Sequence, residues 1–331
     1  MKKILFILLI FCIFLTGCTN YNQKNVEKKL SQKISNASGY KLTGNLTVSN
    51  NDDVYNYDVV VEYKKDNYYK VKFTNINNDH TQVILKNDTG VYVITPSLNK
   101  SFRFQSDWPY DNSQIYLLTS LLNDIKRDSK KVFKAKNNMY LFETVVKYPN
   151  NSKLVKQKIF FNKNMDLEKV IVYDDNNVEC MTMVVDKIKY SPKFSKNNFD
   201  VDNIISKNDL STETEKTGSL DDVIYPLFLP SGTKLVSEEK VSKDNGERVI
   251  MNYDGEKSFL LVEETADIYN ELTIIPTFGE PYRLMDTLGV MTENSLSWTS
   301  DGVDFYIVSD VMSKDEMVEV AQSITGVVSI K

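Results

Sequence analysis

The sequence predicts an α+β protein in two units: a long antiparallel meander with helices set against it, then a smaller α+β unit behind a polar linker. Three observations carry that expectation. Apolar residues alternate at period two through most of residues 40–190. Two stretches beside or within that run switch to helical spacing. Residues 200–219, "DVDNIISKNDLSTETEKTGS", are rich in Ser, Thr, Asp and Glu, after which strand patterning resumes.

At the start of the chain, Lys2 and Lys3 precede an apolar run from Ile4 to Leu15. The run is too short to span a bilayer comfortably as a permanent helix and reads as a secretory signal. It ends Leu15-Thr16-Gly17-Cys18, which resembles the bacterial lipobox. The resemblance implies cleavage between Gly17 and Cys18, a diacylglycerol on the Cys18 thiol, and a fatty acid such as palmitate on the new amino terminus. Two or more acyl chains give lasting membrane attachment where a single chain binds marginally. An uncleaved signal anchor with a chance cysteine is the alternative. On the lipobox reading, residues 1–17 are a lipoprotein signal peptide, residues 18–25 an acylated tether, and the mature chain is anchored to the cell membrane facing outside the cytoplasm.

Loss of residues 1–17 removes Lys2 and Lys3 and takes the formal charge from −5 to −7. No basic excess is left to neutralise phosphates, which argues against nucleic acid as a partner. Cys12 leaves with the signal and Cys18 is consumed by lipid, so Cys180 stands alone. That rules out an internal disulfide, CxxC redox chemistry and cysteine-rich zinc sites. A chain of 331 residues exceeds one average domain.

The elements follow in order. "NVEKKLSQKISNASG" places Val26, Leu30, Ile34 and Ala37 at helical spacing, with Asn25 as cap and Gly39 as stop. Period two begins at "YKLTGNLTVS", continues in "VYNYDVVVEYK", and recurs at Tyr68–Phe73, Thr81–Lys86, Gly90–Thr95 and Phe102–Gln105. "DNSQIYLLTSLLNDIKRD" then puts Ile115, Leu118, Leu122 and Ile125 on one helical face, with Asp111 or Asn112 to cap. Strands resume at Lys131–Ala135, Met139–Val146, Leu154–Phe161, Leu167–Tyr173 and Val178–Tyr190, joined by Asn- and Asp-rich turns. Beyond the linker, Pro226 and Pro230 bracket an apolar turn into a strand, and further strands are expected at Glu247–Asn252, Ser258–Glu264, Leu296–Ser300 and Val303–Ser309. "SKDEMVEVAQSI" closes the chain as a helix, with Ser313 and Glu316 spaced as a capping box and Met317, Val320, Ala321 and Ile324 facing inward.

The stretch "KIFFNKNMDLEKVIVYDDNNVECMTMVVDKIKYSPKFSKNNF" resembles the closing strands of the LolA-like lipoprotein carrier and sorting proteins. The matching places are the turn at Asn162–Leu167, the Tyr-Asp turn at Tyr173–Asn177, and the terminal segment Ser191–Phe199. The resemblance implies that residues 26–199 form an incomplete antiparallel barrel whose concavity holds helices, and that in the carriers such a concavity receives acyl chains. Candidate lining residues are then Tyr40, Leu42, Leu46, Tyr57, Val59, Val61, Ile115, Leu118 and Leu122. The same alternating residues equally suit the packed core of any curved sheet. One departure from the carriers is that no arginine precedes Arg103 on the early strands to latch a helical lid. Residues 220–331, ending "LSWTSDGVDFYIVSDVMSKDEMVEVAQSI", are similar to a domain recurrent in exported, sporulation-related Gram-positive proteins. Lipobox, LolA-like half and this ending together resemble the YdcC-like sporulation lipoproteins and the GerS-type germination lipoproteins.

Catalytic parts are scarce. His80 is the only histidine and lies in "NINNDHTQ", a turn composition that reads as a solvent-exposed histidine. Glu263 and Glu264 are adjacent on a strand and read, like Asp221 and Asp222, as one solvated face rather than a catalytic or metal pair. Cys180 reads as a strand core position beside Met181 and Met183. There is no GxxxxGK or GxGxxG to cradle a nucleotide. No enzyme activity, metal or cofactor is therefore expected. The expected function is a membrane-tethered adaptor that binds another exported protein in the cell or spore envelope, the resemblance implying a peptidoglycan amidase or similar cell-wall hydrolase. The alternative is an acyl-chain or lipoprotein acceptor that uses the concavity.

Overall fold

The computed structural model describes residues 22–50, 53–109, 111–148, 150–207, 220, 223–284 and 286–328. The signal segment, the lipobox with Gly17 and Cys18, Asp221, Asp222 and the polar stretch 208–219 lie outside the described residues.

Consecutive hairpins build the first sheet. β1 (Gly39–Asn50), β2 (Asp53–Lys64), β3 (Tyr68–Asn75), β4 (Thr81–Asn87), β5 (Gly90–Thr95) and β6 (Lys100–Phe104) form one meander. β7 (Val132–Lys136), β8 (Met139–Val145), β9 (Leu154–Asn162), β10 (Leu167–Asp174) and β11 (Glu179–Tyr190) form a second. The two join where β11 pairs antiparallel with β1, through a register shift between Thr43 and Gly44. A Cβ on Gly44 would lie 2.2 Å from the Val184 carbonyl oxygen, so the close approach of the strands at this bulge requires glycine.

Two helices occupy the concave side. α1 (Gln23–Asn36) buries Val26 and Leu30 completely. Its cap is Asn22, whose side chain accepts the Asn25 amide at 2.9 Å, so the helix begins earlier than the expected start at Asn25. α2 (Leu118–Arg127) begins later than expected. Asp111 has φ +55°, outside the extended region that a cap adopts, and its carboxylate instead accepts Lys147 at 2.6 Å. The Leu118 amide is met by the Tyr40 hydroxyl at 3.2 Å, a cap supplied from β1.

The linker expectation needs correction at its first residues. Val201–Lys207 form α3, and Phe199, Val201 and Ile204 bury against Val83, Leu85 and Tyr92 on the convex side. That explains the unbroken apolar runs in β4 and β5: both faces of these strands are covered.

The second unit contributes β12 (Lys234–Lys243), β13 (Gly246–Asp254), β14 (Phe259–Thr265), β15 (Thr273–Thr277), β16 (Glu280–Arg283), β17 (Leu288–Met291), β18 (Ser295–Ser300), β19 (Val303–Val308) and α4 (Lys314–Val328). Seven of its strands form a sheet in the order β12-β13-β14-β19-β18-β17-β16. β15 leaves that sheet and pairs in parallel with β6, becoming the edge of a twelve-stranded first sheet. Met317, Val320, Ala321 and Ile324 of α4 are fully buried in one cluster with Trp298 and Phe305, whose rings stack at 5.0 Å. The capping box forms in both directions, Glu316 amide to Ser313 Oγ at 3.2 Å and Ser313 amide to Glu316 Oε2 at 2.7 Å.

Candidate functional site

The nine residues expected to line a cavity are all 0–7% exposed and share one packed cluster with Val26 and Leu30 of α1 and Leu288 and Val290 of β17. They are Tyr40, Leu42, Leu46, Tyr57, Val59, Val61, Ile115, Leu118 and Leu122, and they are core rather than the wall of an open cavity. The reason lies partly in the second unit: β17 closes onto the concavity alongside α1 and α2, so the sheet's apolar face is covered from within the chain.

What stays open is a cleft between the two units, about 800 Å³ in volume. Trp108, Tyr116 and Asn150 of the first unit face Leu227, Phe228 and Tyr282 of the second across it. Leu227 is 78% exposed and Phe228 42%, a large apolar pair left in solvent at the mouth.

Arg283, at the end of β16, reaches from the second unit over the aromatic side of the first. Its guanidinium lies 3.8 Å from the centroid of the Phe73 ring and 5.0 Å from that of Tyr57. Nε and Nη2 are shielded from solvent and meet no acceptor among the described residues. Burial pushes this arginine below its ordinary pKa, and Tyr57 and Tyr116 work against the shift. The sequence offered little to single it out: β15, β16 and β17 are four or five residues long, and Pro276 and Pro281 interrupt the first two. Both prolines sit on strands at sheet edges, where a missing amide is tolerated.

The units are locked together by polar contacts. Lys100 Nζ reaches both Asp304 oxygens, at 3.0 and 2.8 Å, with both side chains buried. Gln82 Oε1 accepts the Leu288 amide at 2.6 Å and the Thr287 hydroxyl at 3.2 Å.

Three further sequence expectations change. His80 is half-buried rather than solvent-exposed, because the β3–β4 turn meets the second unit, where Asp286, Ser300 and His80 line a pocket of about 240 Å³. Burial raises Asp286 to a pKa of about 6, and Ser300 donates its proton to that carboxylate, so this serine is not arranged as a nucleophile on the imidazole. Glu263 and Glu264 are buried rather than solvated, at 0% and 8% exposure. Glu263 takes the Ile224 amide at 3.0 Å, and Glu264 pairs with Arg248 at 2.5 Å. Cys180 is half-buried at the cleft and not in the core; Met183, three residues on, holds the core position. Among the described residues no group of three or more His, Cys, Asp and Glu is placed to hold a metal, and no helix is long and apolar enough to cross a membrane.

No family model matches the chain. Among solved structures it is similar to Pseudomonas aeruginosa MucB in a complex with MucA, with a TM-score of 0.32 and 10% identity, over 90% of this chain and 97% of that one. It is also similar to the GerS lipoprotein of Clostridioides difficile in complex with the CwlD amidase, with a TM-score of 0.28 and 17% identity, over 54% of this chain and 99% of that one. A sequence relative is much nearer: the sporulation protein YdcC of Bacillus subtilis (strain 168) is 39% identical over 321 residues, 96% of this chain and 95% of that protein. With that identity running along nearly the whole of both, the chain belongs to the family of the sporulation protein YdcC.

Proposed function

We propose that this protein is an exported lipoprotein, anchored through lipid on Cys18, that acts without catalysis by binding another protein of the cell or spore envelope. The observation that carries the reading is the filled concavity. An acyl acceptor needs its apolar face open, whereas here that face is packed by α1, α2 and β17, and the large apolar side chains left in solvent at the cleft are Leu227 and Phe228. Such a pair suits a protein surface better than a lipid tail, which would need an enclosed sleeve. The resemblance to the germination lipoproteins makes a peptidoglycan amidase the first partner to try.

The test is mass spectrometry of the protein isolated from its native membrane in mild detergent, recording proteins and lipids together. A stoichiometric envelope protein that is lost from Leu227→Asp and Phe228→Asp variants supports the reading. An acyl ligand beyond the Cys18 anchor, with no protein partner, replaces it by lipid handling. Cys18→Ser should release the protein from the membrane fraction, and retention there would remove the anchor from the proposal.

A further inference from the structure

Direct pairing carries side chains of one face across β7 to β11 in rows. Phe142, Ile159, Val170 and Met183 make a fully buried row on the concave side. The next row lies on the convex side and runs Lys134, Leu141, Phe160, Lys169, Val184. By the same alternation Lys136, Lys158, Lys187 and Lys189 share that convex face. Its carboxylates are Glu143 and Glu179, with Glu168 and Asp186 at register shifts. Among the described residues no ion pair holds Lys134, Lys136, Lys158, Lys169, Lys187 or Lys189. A chain of formal charge −5 thus gathers unneutralised cations on one side of one meander.

The face is more than a solvated charge layer. Val132, Val145 and Val184 are 45%, 54% and 44% exposed, and Leu141 and Phe160 are half-buried between the lysines. Lysine stems lie along such apolar surface with their ammonium heads outward, as Lys158 does over the Tyr173 ring at 4.7 Å. A soluble polyanion would use the ammonium groups alone, whereas a bilayer of anionic lipid meets both kinds of side chain. The place where the chain leaves the fold points the same way. Glu27 of α1 pairs at 3.4 Å with Lys131, at the head of β7. Cys18 stands four residues before Asn22, a reach of at most about 14 Å. Lipid on Cys18 would therefore hold the β7 side of the sheet close to the headgroups.

We propose that the convex face of β7 to β11 rests on a bilayer surface rich in anionic phospholipid. Its lysines meet headgroup phosphates, and its exposed valines, Leu141 and Phe160 enter the headgroup boundary. Alone the face binds weakly and reversibly; its role is to orient a chain that the anchor retains. That role rests on the anchored reading under the proposed function, while the affinity of the face does not. The test omits the anchor, so its failure leaves lipid on Cys18 standing.

The experiment is sedimentation of the chain from Thr19 onward, which keeps every described residue, with vesicles of phosphatidylglycerol and phosphatidylcholine in equal parts, and with phosphatidylcholine alone. Affinity at least about tenfold higher for the anionic vesicles is expected, falling as salt rises. Lys134→Glu/Lys169→Glu/Lys187→Glu should lose at least about tenfold. Lys65→Glu/Lys196→Glu/Lys234→Glu, the same charge change away from the face, should bind as wild type does. An environment-sensitive dye on Val184→Cys, in a Cys180→Ser background, should shift to the blue on anionic vesicles. The comparison of vesicles uses unaltered side chains, so it stands even where a variant folds poorly. No binding, or equal binding to both vesicles, overturns the proposal, as does equal loss in the two triple variants. A dye at position 184 that shifts no more on vesicles than with soluble polyphosphate overturns it too, by making the face a general polyanion site.

Discussion

Lys100 of β6 and Asp304 of β19 form a two-pronged ion pair across the units, and neither side chain is more than 7% exposed. β15 pairs with β6 next to it, so backbone and charge join the same place. Removing one partner leaves the other buried and uncompensated, a cost of about 3–5 kcal/mol. Asp304→Leu should therefore lower the urea midpoint sharply. The double variant Lys100→Met/Asp304→Leu should recover much of the loss, since two apolar groups of similar size need no pairing. A double variant as unstable as the single one would show that the joint depends on the charge itself.

Glu263 gives stability a dependence on pH. Burial raises its carboxyl to about 7, the Ile224 amide opposing and Glu238 adding. A raised carboxylate pKa means that the folded state holds a proton the unfolded chain has already released. Stability should then fall as pH rises from about 4.5 to about 7, by roughly 3 kcal/mol, and stay level above that. Asp286, raised to about 6, slopes the same way, so the wild-type curve carries both. Urea midpoints at pH 5 and pH 8 for Glu263→Gln, set against wild type, isolate Glu263: the variant should gain most at pH 8.

Glu62 works in the opposite direction. Its burial would raise the pKa, but bonds from Lys70 at 2.6 Å, Asn198 at 3.0 Å and Lys41 at 2.9 Å outweigh that and hold it at about 2. Its contribution is complete above about 4.5 and is lost as pH falls toward 2, about 3 kcal/mol in all. Because Asn198 also receives Lys70 on its carbonyl, this cluster pins the segment leading to Phe199 and α3. Glu62→Gln should flatten the acid limb of the stability curve, and amides of residues 198–205 should exchange faster in the variant at neutral pH.

How far the sequence could be read depended on which interactions were local. Alternation at Tyr40, Leu42, Leu46 and at Tyr57, Val59, Val61 marks one face of β1 and β2, because neighbouring strands impose the period directly. The Ser313–Glu316 box was legible for the same reason, its partners being three residues apart. What was hidden depends on distant pieces meeting. Nothing near "TIIPT" says that it will pair with β6, some 170 residues earlier. Glu263 read as solvated because strand alternation cannot reveal that the Ile224 segment lies over it. Nothing near Arg283 in the chain singles it out, because what sets it apart is Phe73 and Tyr57 brought against it from β3 and β2. The candidate lining residues are likewise buried under α1, α2 and β17: the helices are legible from their own spacing, whereas the arrival of β17 from the far end of the chain is not.

The seat of α2 is the place to test that cover. The helix has no side-chain cap of its own, and its Leu118 amide depends on the Tyr40 hydroxyl, itself held neutral by burial well above the ordinary tyrosine pKa. Tyr40→Phe keeps the ring in the core and deletes that acceptor, leaving a buried amide unpaired at a cost of about 1–3 kcal/mol. Since Leu118, Leu121, Leu122 and Ile125 of α2 fill the concavity, loosening this end should expose the sheet's apolar face before the sheet itself opens. Hydrogen exchange should then quicken at residues 118–122 while β1 and β2 stay protected, and an apolar dye should bind the variant and not the wild type. Exchange that rises equally in α2 and β1 would mean that helix and sheet open as one unit, and that the concavity has no separate way to uncover.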